Sequence, residues 1–235
     1  MYRLLFIVVI LLISSVRLLA QKMPLGLWNS ETVMVTGDSL TRLGGNIEFQ
    51  SHNNQVFEGF QYLEVKGALT YFVNPHFTIA TGAGRINTYQ GASTETENRL
   101  YEQITNNQFF PWIKIQSRLS IEQRWVDNRY SNRFRYRLNG FIPLNRKEIV
   151  AKTYFISAYN EVFFNNRSPV FERNRAFGGF GYQFDHSFSI QSGITNQYDY
   201  SPAKSADKNF ATLALLYRIR RKDEIHREIM PTASN

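Results

Sequence analysis

A two-residue alternation of polar and apolar side chains runs through almost all of the chain after residue 20 and limits its fold more than any other feature. The clearest example is segment 112–125, in which one face is mostly apolar and the other is almost entirely polar and charged. Because successive side chains of a β-strand point to opposite faces, a period of two predicts half-buried strands. The chain is therefore predicted to be all-β.

Turn-forming residues divide the alternating region into about eleven predicted strands. The clearest strands cover 62–73, 112–125, 133–142, 188–195 and 210–219, and further candidates lie near 25–36, 40–51, 77–89, 97–109, 149–164 and 173–184. Closed bacterial barrels made from a single chain have an even number of strands. We therefore expect ten or twelve, and we predict an antiparallel up-and-down transmembrane β-barrel of about 10–12 strands.

The first twenty residues have the layout of a secretory signal peptide. A short positive region at 1–3 precedes an apolar run at 4–13, and the small residue Ala20 stands before the expected cleavage point. The run of about ten residues is too short for a membrane-spanning helix, which needs roughly twenty. The predicted divisions are a signal peptide at 1–20, an outer-membrane barrel at 21–220 and a charged, flexible tail at 221–235.

Composition excludes several classes of protein. The 235 residues include no cysteine, so the chain can form neither a disulfide framework nor a thiolate metal site. The formal net charge is +8, but the arginines recur at strand spacing and not in a surface run, which predicts no nucleic-acid partner.

The length of the predicted strands separates two kinds of secreted β protein. Membrane strands need about nine to eleven residues to cross, whereas strands of β-sandwiches are usually about five or six residues long. The predicted strands are of the longer kind. They favour a membrane barrel, and a soluble periplasmic β-sandwich or lipocalin-like binding protein stays as the alternative.

Arginine and glutamate recur at every second position of several predicted strands. In a barrel these positions line a narrow lumen, where each buried charge needs a partner. The predicted charged network of the lumen consists of Glu97, Arg99, Arg118, Glu122, Arg124, Arg133, Arg135, Arg137, Glu161, Arg173 and Arg175. Two roles are open: an anion-attracting lumen, or a set of salt bridges that fills a narrow barrel. We favour the second.

The expected hairpin at 127–132 makes the pairing within this network specific. A turn of that length places Glu122 opposite Arg135 or Arg137. One carboxylate among several guanidinium groups leaves excess positive charge. Three further carboxylates are expected to cross the lumen and balance it: Glu97, Glu102 and Glu161.

Four ordered segments carry a resemblance to a known family. They are 97–103 (ENRLYEQ), 118–124 (RLSIEQR), 133–137 (RFRYR) and 161–165 (EVFFN), the last followed by 173–175 (RNR) and 178–182 (GGFGY). In order and spacing they resemble the domain-of-unknown-function 2490 family of Gram-negative outer-membrane barrels over roughly residues 25–220. The resemblance implies an outer-membrane barrel, and it brings no activity, substrate or catalytic residue.

A lipid-modifying enzyme of the outer membrane is the alternative from another class, because such enzymes use a serine activated by a histidine. His52, His76 and His186 fall in predicted turns and His226 in the tail, and none stands in a predicted strand beside a suitably spaced serine. No cluster of His, Asp and Glu has the spacing of metal ligands. The sequence therefore predicts a protein that is not an enzyme and that has no cofactor or metal.

These inferences give one predicted function. The chain is expected to be a non-enzymatic outer-membrane barrel, either structural or a narrow anion-preferring channel with a lumen lined by Arg and Glu. Its expected partners are outer-membrane lipid, the barrel-assembly machinery and small anions. Its expected location is the cell outer membrane, reached with a cleaved signal peptide.

Overall fold

The computed structural model describes residues 25–36, 42–53 and 61–220, so the predicted signal peptide and C-terminal tail lie outside the described residues. Within these ranges eleven strands form one closed barrel. The strands are β1 Leu25–Val35, β2 Leu43–Asn53, β3 Tyr62–Phe72, β4 Phe77–Gln90, β5 Ser93–Phe109, β6 Lys114–Val126, β7 Arg129–Pro143, β8 Thr153–Asn165, β9 Phe171–Gln183, β10 Phe188–Asp199 and β11 Ala206–Ile219. No helix in the described ranges is long and apolar enough to span a membrane.

Each strand pairs antiparallel with the next one along the chain, and β1 closes the barrel against β11. The all-β, up-and-down architecture and the range of 10–12 strands are confirmed. The expectation of an even number was wrong, since eleven strands form the barrel in the described residues. An odd number of up-and-down strands makes the first and last run in the same direction. Accordingly β1 and β11 pair in parallel, with Leu25 opposite Asn209 and Val35 opposite Ile219.

The connections between strands define the two ends of the barrel. We call the end where β1 begins the proximal end and the end where β1 finishes the distal end. Of the connections that lie wholly within the described residues, the proximal ones are 91–92, 127–128, 166–170 and 200–205, and the distal ones are 73–76, 110–113, 144–152 and 184–187.

The β6–β7 hairpin is tighter than the sequence predicts. Only Asp127 and Asn128 connect the strands, and their φ angles are 44° and 69°. Asp and Asn tolerate this left-handed conformation, and two-residue turns of this kind match the twist of the strands. The shorter turn shifts the register, so Glu122 lies opposite Arg133 and not opposite either arginine that the longer turn would have selected.

An aspartate holds the β9–β10 turn at the distal end. The Asp185 carboxylate accepts hydrogen bonds from the backbone N–H groups of Phe188 at 2.8 Å and Ser187 at 2.6 Å. These two hydrogen bonds keep the pKa of Asp185 below its usual value. The turn therefore keeps this support at neutral pH and loses it as the pH falls through the lowered pKa.

The distal half of the lumen contains a layer of apolar side chains, which we call the distal apolar layer. It consists of Phe141, Ile149 and Phe155, all fully buried, and the two rings meet edge to face at 6.2 Å. Ile149 belongs to connection 144–152, so this connection folds back into the barrel. Gly181 makes room for the layer, because a Cβ at this position would lie 2.1 Å from Cζ of Phe155.

The outer face of the barrel is covered by large apolar side chains. Leu69, Phe180 and Ile47 are 70%, 68% and 65% exposed, and many other outward positions of the strands carry apolar side chains that are exposed to a smaller extent. Inside, buried polar and charged residues outnumber buried apolar ones in the described ranges. This is the reverse of a water-soluble protein, which buries its apolar side chains and places its charges outside.

Candidate functional site

Ion-paired side chains form one connected cluster in the proximal half of the lumen, which we call the lumen network. In residues 25–36, 42–53 and 61–220 it joins six carboxylates to seven cations: Glu48, Glu64, Glu97, Glu122, Glu161 and Glu172 with Lys66, Arg99, Arg124, Arg133, Arg135, Arg137 and Arg175. The side chains of all except Arg124 and Glu172 are nearly inaccessible. The network therefore fills the lumen at this level.

Strand parity brings these side chains together. Glu122 and Arg124 of β6 have the inward parity, as have Arg133, Arg135 and Arg137 of β7. Antiparallel pairing puts inward residues of neighbouring strands side by side. The alternation of charged and apolar residues in the sequence is thus the direct cause of a charged interior and an apolar exterior.

Two carboxylates hold the centre of the network. Glu122 accepts hydrogen bonds from Arg133 Nε and Arg135 NH1, both at 2.6 Å. Glu161 accepts them from Arg135 NH2 at 2.7 Å and Arg137 NH2 at 2.6 Å. Arg135 therefore bridges both carboxylates, and hydrogen bonds between ionised groups are about twice as strong as neutral ones. These contacts bind β6, β7 and β8 to one another in a single register.

A second arm of the network extends towards β2. Arg99 joins Glu97 at 2.7 Å to Glu64 at 3.4 Å. Lys66 joins Glu64 at 3.6 Å to Glu48 at 3.3 Å. The chain of ion pairs thus crosses from β2 through β5, so the network spans most of the circumference of the barrel.

Glu172 enters the network through a β-bulge. The register of β8 against β9 shifts between Phe163 and Phe164, which leaves Glu172 outside the regular pairing. A bulge of this kind redirects a side chain. Glu172 accordingly meets Arg133 at 3.0 Å and Arg124 at 3.2 Å, although strand parity alone does not predict this.

One aromatic ring lies among the guanidinium groups. Four arginines have their guanidinium carbons 4.8–5.6 Å from the ring centre of Phe163: Arg133, Arg135, Arg173 and Arg175. Arg137 lies 4.0 Å over Tyr159, and Arg175 lies 4.4 Å over Trp28. Such cation–π contacts contribute about 0.5–2 kcal/mol each. The negative faces of these neutral rings thus stabilise part of the positive charge of the lumen.

The predicted lumen residues are distributed as follows. Nine of the eleven belong to the lumen network: Glu97, Arg99, Glu122, Arg124, Arg133, Arg135, Arg137, Glu161 and Arg175. Arg118 is buried in the same lumen opposite Arg137, which repels it, while Glu161 attracts it. Arg173 lies at the proximal rim, where its Nε donates to Asp199.

The expectation that Glu102 balances the lumen was wrong. Glu102 has the opposite parity to Glu97 in β5 and lies on the outer face between Leu100 and Ile104. Sequence reasoning also missed four network residues: Glu48, Glu64, Lys66 and Glu172. The sequence does contain a signal for Glu64 and Lys66: they alternate with apolar residues in segment 62–73, which predicts that both face the lumen.

The proximal part of the lumen contains a polar cavity of about 260 Å³, which we call the vestibule. Its lining comprises Gln50, His52, Tyr62, Glu64, Ile86, Thr88, Gln90, Glu95, Glu97, Arg99, Arg124, Arg133, Arg135, Phe163, Arg173, Arg175, Gln197 and Lys208. Cations outnumber carboxylates in this lining by seven to three. The chemistry that such a cavity offers is the binding of an anion.

His52 lies in β2 and lines the vestibule, and its expected place in a turn was wrong. Its ring stacks on Tyr62 at 4.4 Å, and its Nδ1 is among the buried polar atoms without a hydrogen-bond partner in the described residues. The adjacent Ser51 has the opposite strand parity, so the two side chains point to opposite faces of β2.

His76 lies in the distal connection 73–76, and its Nδ1 contacts the backbone oxygen of Asn107 at 2.8 Å. Within the described ranges no group of three or more His, Cys, Asp and Glu side chains could hold a metal ion.

Comparison with known proteins gives one family. A family model described as a protein of unknown function (DUF2490) matches residues 25–209. The match runs from the start of β1 into β11 and includes every member of the lumen network. It confirms the resemblance carried by the four sequence segments. No curated protein matches the chain.

Proposed function

The chain belongs to the domain-of-unknown-function 2490 family, and on that premise we propose that it is a non-enzymatic outer-membrane β-barrel whose lumen is closed by its own side chains. The observation that carries the proposal is the reversed polarity of the barrel wall. Large apolar residues face outward while the lumen network occupies the interior. Monomeric soluble proteins rarely expose a continuous apolar surface of this kind, and a lipid bilayer would cover it.

Strand length and aromatic side chains support the same location. Strands of 11 to 17 residues meet or exceed the roughly nine to eleven residues that a tilted membrane strand needs. Exposed aromatic residues stand near both ends of the barrel, as in the interfacial girdles of membrane barrels. The distal ones are Tyr71, Phe77, Phe110, Trp112, Tyr154, Phe184 and Tyr217, and the proximal ones are Tyr130, Phe164, Tyr198 and Tyr200.

Cell fractionation tests the location. We expect the protein in the detergent-extracted outer membrane, with faster gel migration before boiling than after it, as a folded barrel shows. Recovery in the osmotic-shock fraction would instead support the soluble periplasmic binding protein. Outer-membrane lipid and the barrel-assembly machinery are the partners that this location requires.

The lumen is proposed to be closed to free diffusion. The distal apolar layer is inaccessible to water, and the buried lumen network lies next to it on the proximal side. We therefore expect no conductance steps when the purified barrel is added to planar lipid bilayers. Discrete steps with anion preference would contradict closure and would favour the narrow channel, for which the surplus of cations in the vestibule is the supporting observation.

The absence of catalysis is also a proposal. The ring of His52 packs against the rings of Trp28, Tyr62 and Phe210. The hydroxyl of Tyr62 donates to Glu64, and Nδ1 of His52 has no hydrogen-bond partner in the described residues, so the pair lacks the nucleophile–base contact of a serine–histidine site. Replacing each histidine by glutamine, His226 included, is expected to leave the lipid composition of the outer membrane unchanged. A change in lipid acylation would favour the lipid-modifying enzyme.

Glu102 provides a test of the bilayer contact. It stands on the outer face beside Ile104, and a carboxylate among acyl chains destabilises a membrane barrel. Glu102→Leu is expected to raise the free energy of unfolding in lipid vesicles by about 1–2 kcal/mol. The control is Glu148→Leu, which removes an exposed carboxylate from connection 144–152 and should give no gain. Equal effects of the two substitutions would contradict a lipid-facing Glu102.

A further inference from the structure

The vestibule has two chemically different walls. On the side of β6 to β11 its charged groups are arginines and a lysine, whereas β2 to β4 present neutral groups apart from Glu64. Between these two walls β5 contributes Glu95, Glu97 and Arg99. The cationic wall contains Arg124, Arg133, Arg135, Arg173, Arg175 and Lys208, and the neutral wall contains Gln50, His52, Tyr62, Ile86, Thr88 and Gln90. A cavity divided in this way fits a ligand that has one anionic end and one uncharged end.

The positive surplus is concentrated on β9 and β11. Arg173 and Lys208 share one carboxylate, that of Asp199, which lies 3.3 Å from Lys208 Nζ. Arg175 donates from Nε and NH2 to the neutral amide oxygen of Gln197 at 3.2 and 2.9 Å. Its ion pair with Glu161 is longer, at 3.6 Å. Arg135, by comparison, forms close ion pairs with two carboxylates, those of Glu122 and Glu161. The three cations on β9 and β11 have fewer or more distant carboxylates beside them.

A bound anion would offset this surplus. Arg175 is nearly inaccessible, whereas Arg173 and Lys208 are partly exposed at the rim. A charge with little water around it is costly unless an opposite charge and hydrogen bonds compensate it. Guanidinium groups present paired donors that match the oxygens of a carboxylate or a phosphate. Arg173 and Arg175, two residues apart on one strand, both point into the cavity, and Lys208 adds a third donor at its rim.

The neutral wall supplies a surface for the rest of the ligand. The rings of His52 and Tyr62 lie nearly parallel, with an angle of 13° between their planes. Nδ1 of His52 has no hydrogen-bond partner in the described part of the chain, although it is buried. A flat ring surface beside amide and hydroxyl groups suits a sugar or an aromatic ring.

We propose that the vestibule binds one small organic anion, with its carboxylate or phosphate held by Arg173, Arg175 and Lys208 and its uncharged body against His52 and Tyr62. The proposal rests on the closed barrel of the proposed function, because a blind cavity retains a ligand that an open channel would pass. The volume of about 260 Å³ admits a metabolite-sized molecule and excludes a polysaccharide.

Calorimetric titration of the detergent-solubilised, folded barrel at low salt tests the proposal. The probes are ribose 5-phosphate, benzoate, inorganic phosphate and ribose. We expect ribose 5-phosphate or benzoate to bind with a dissociation constant of about 1 mM or lower, which corresponds to about −4 kcal/mol. Neutral ribose should not bind. A phosphate preference identifies a phosphate ester as the ligand class, and a benzoate preference identifies a carboxylate.

Three variants separate the vestibule from the rest of the surface. The double substitution Arg173→Gln with Lys208→Gln is expected to weaken binding at least about tenfold. Asp199→Asn removes the carboxylate that competes for both cations, and it should tighten binding severalfold. The matched control is Arg85→Gln, which removes a positive charge from the outer face of β4 and should leave the affinity unchanged.

Three results would overturn the proposal. They are no binding of either organic anion, equal affinities of the double variant and the wild type, and inorganic phosphate binding as tightly as both organic anions. The shift in gel migration on boiling is recorded for every sample. A barrel that shows the shift and binds no probe overturns the ligand site alone, whereas a protein without the shift and without outer-membrane location overturns the proposed function.

Discussion

Replacing Glu161 by glutamine is expected to destabilise the barrel by about 3–5 kcal/mol, because it breaks a buried ion pair and leaves guanidinium groups uncompensated. The side chain of Glu161 is only 1% exposed, and its two oxygens accept hydrogen bonds from Arg135 and Arg137. The amide of glutamine would direct an N–H group at one of these donors. The measurement is unfolding by urea in lipid vesicles, followed by the fluorescence of the three tryptophans.

The double variant Glu161→Gln with Arg137→Gln shows whether the loss comes from stranded charge. Arg137 forms an ion pair with Glu161, with 2.6 Å between NH2 and Oε2, and its Nε and NH1 have no hydrogen-bond partner in the described residues. Removing it should recover about 1–3 kcal/mol of the loss. Glu148→Gln, which changes an exposed side chain of connection 144–152, should change stability by no more than about 0.5 kcal/mol. If Glu161→Gln behaved like this control, the network would have no structural role.

Truncation of Phe155 to alanine is expected to cost about 3–5 kcal/mol, since it opens a cavity inside the distal apolar layer. The Phe155 ring is fully buried against Phe141 and Ile149, and it occupies the space that Gly181 leaves. Urea unfolding in vesicles again reports the loss. Phe155→Leu should cost less, because it keeps most of the buried volume.

Phe180→Ala is the matched control for Phe155→Ala. Phe180 stands on β9 with its ring on the outer face, 68% exposed, so its truncation leaves no internal cavity. We expect a loss of about 1–2 kcal/mol, because the truncated ring gives up contact with lipid but leaves no cavity. A larger loss for Phe180 than for Phe155 would contradict a packed lumen and would favour an open channel in its place.

The strands could be predicted because each one has two chemically distinct faces. In β6 the outward Leu119 and Ile121 alternate with the inward Ser120 and Glu122, so the period of two is visible without any tertiary information. The eleven strands counted from the sequence are the eleven of the barrel. The expected even number came from a rule about barrels in general, and the parallel pairing of β1 with β11 is how this chain departs from it.

The partners within the lumen could be predicted only in part. Parity identifies which side chains point inward, which is why most of the arginines and Glu161 were found. Which carboxylate meets which arginine depends on hairpin length and on contacts across the lumen. Glu172 pairs with Arg124, 48 residues away, because of a bulge that the alternation does not reveal. Glu102 is the opposite case. Strand parity alone places its side chain on the outer face, and the structure has it there.

The vestibule was beyond sequence reasoning for a similar reason. His52 lies next to residues 53 and 54, a run of asparagines that is typical of turns, yet β2 continues through His52 and directs its ring inward. Its neighbours Trp28, Tyr62 and Phe210 come from three different strands. Trp28 and Tyr62 lie opposite His52 in the pairing of β2 with its two neighbours, and the closure of the barrel through β1 and β11 adds Phe210.

We propose that the outer face of this barrel contacts lipid while the lumen network faces its interior. The chain has no cysteine, so single cysteines can be introduced along β6 and carry spin labels in lipid vesicles. We predict that accessibility to oxygen, which concentrates in the bilayer, is high at 117, 119 and 121 and low at 116, 118 and 120. High accessibility of both 119 and 121 to a water-soluble nickel complex, or the absence of a period of two in oxygen accessibility from 116 to 121, would contradict a lipid-facing outer wall.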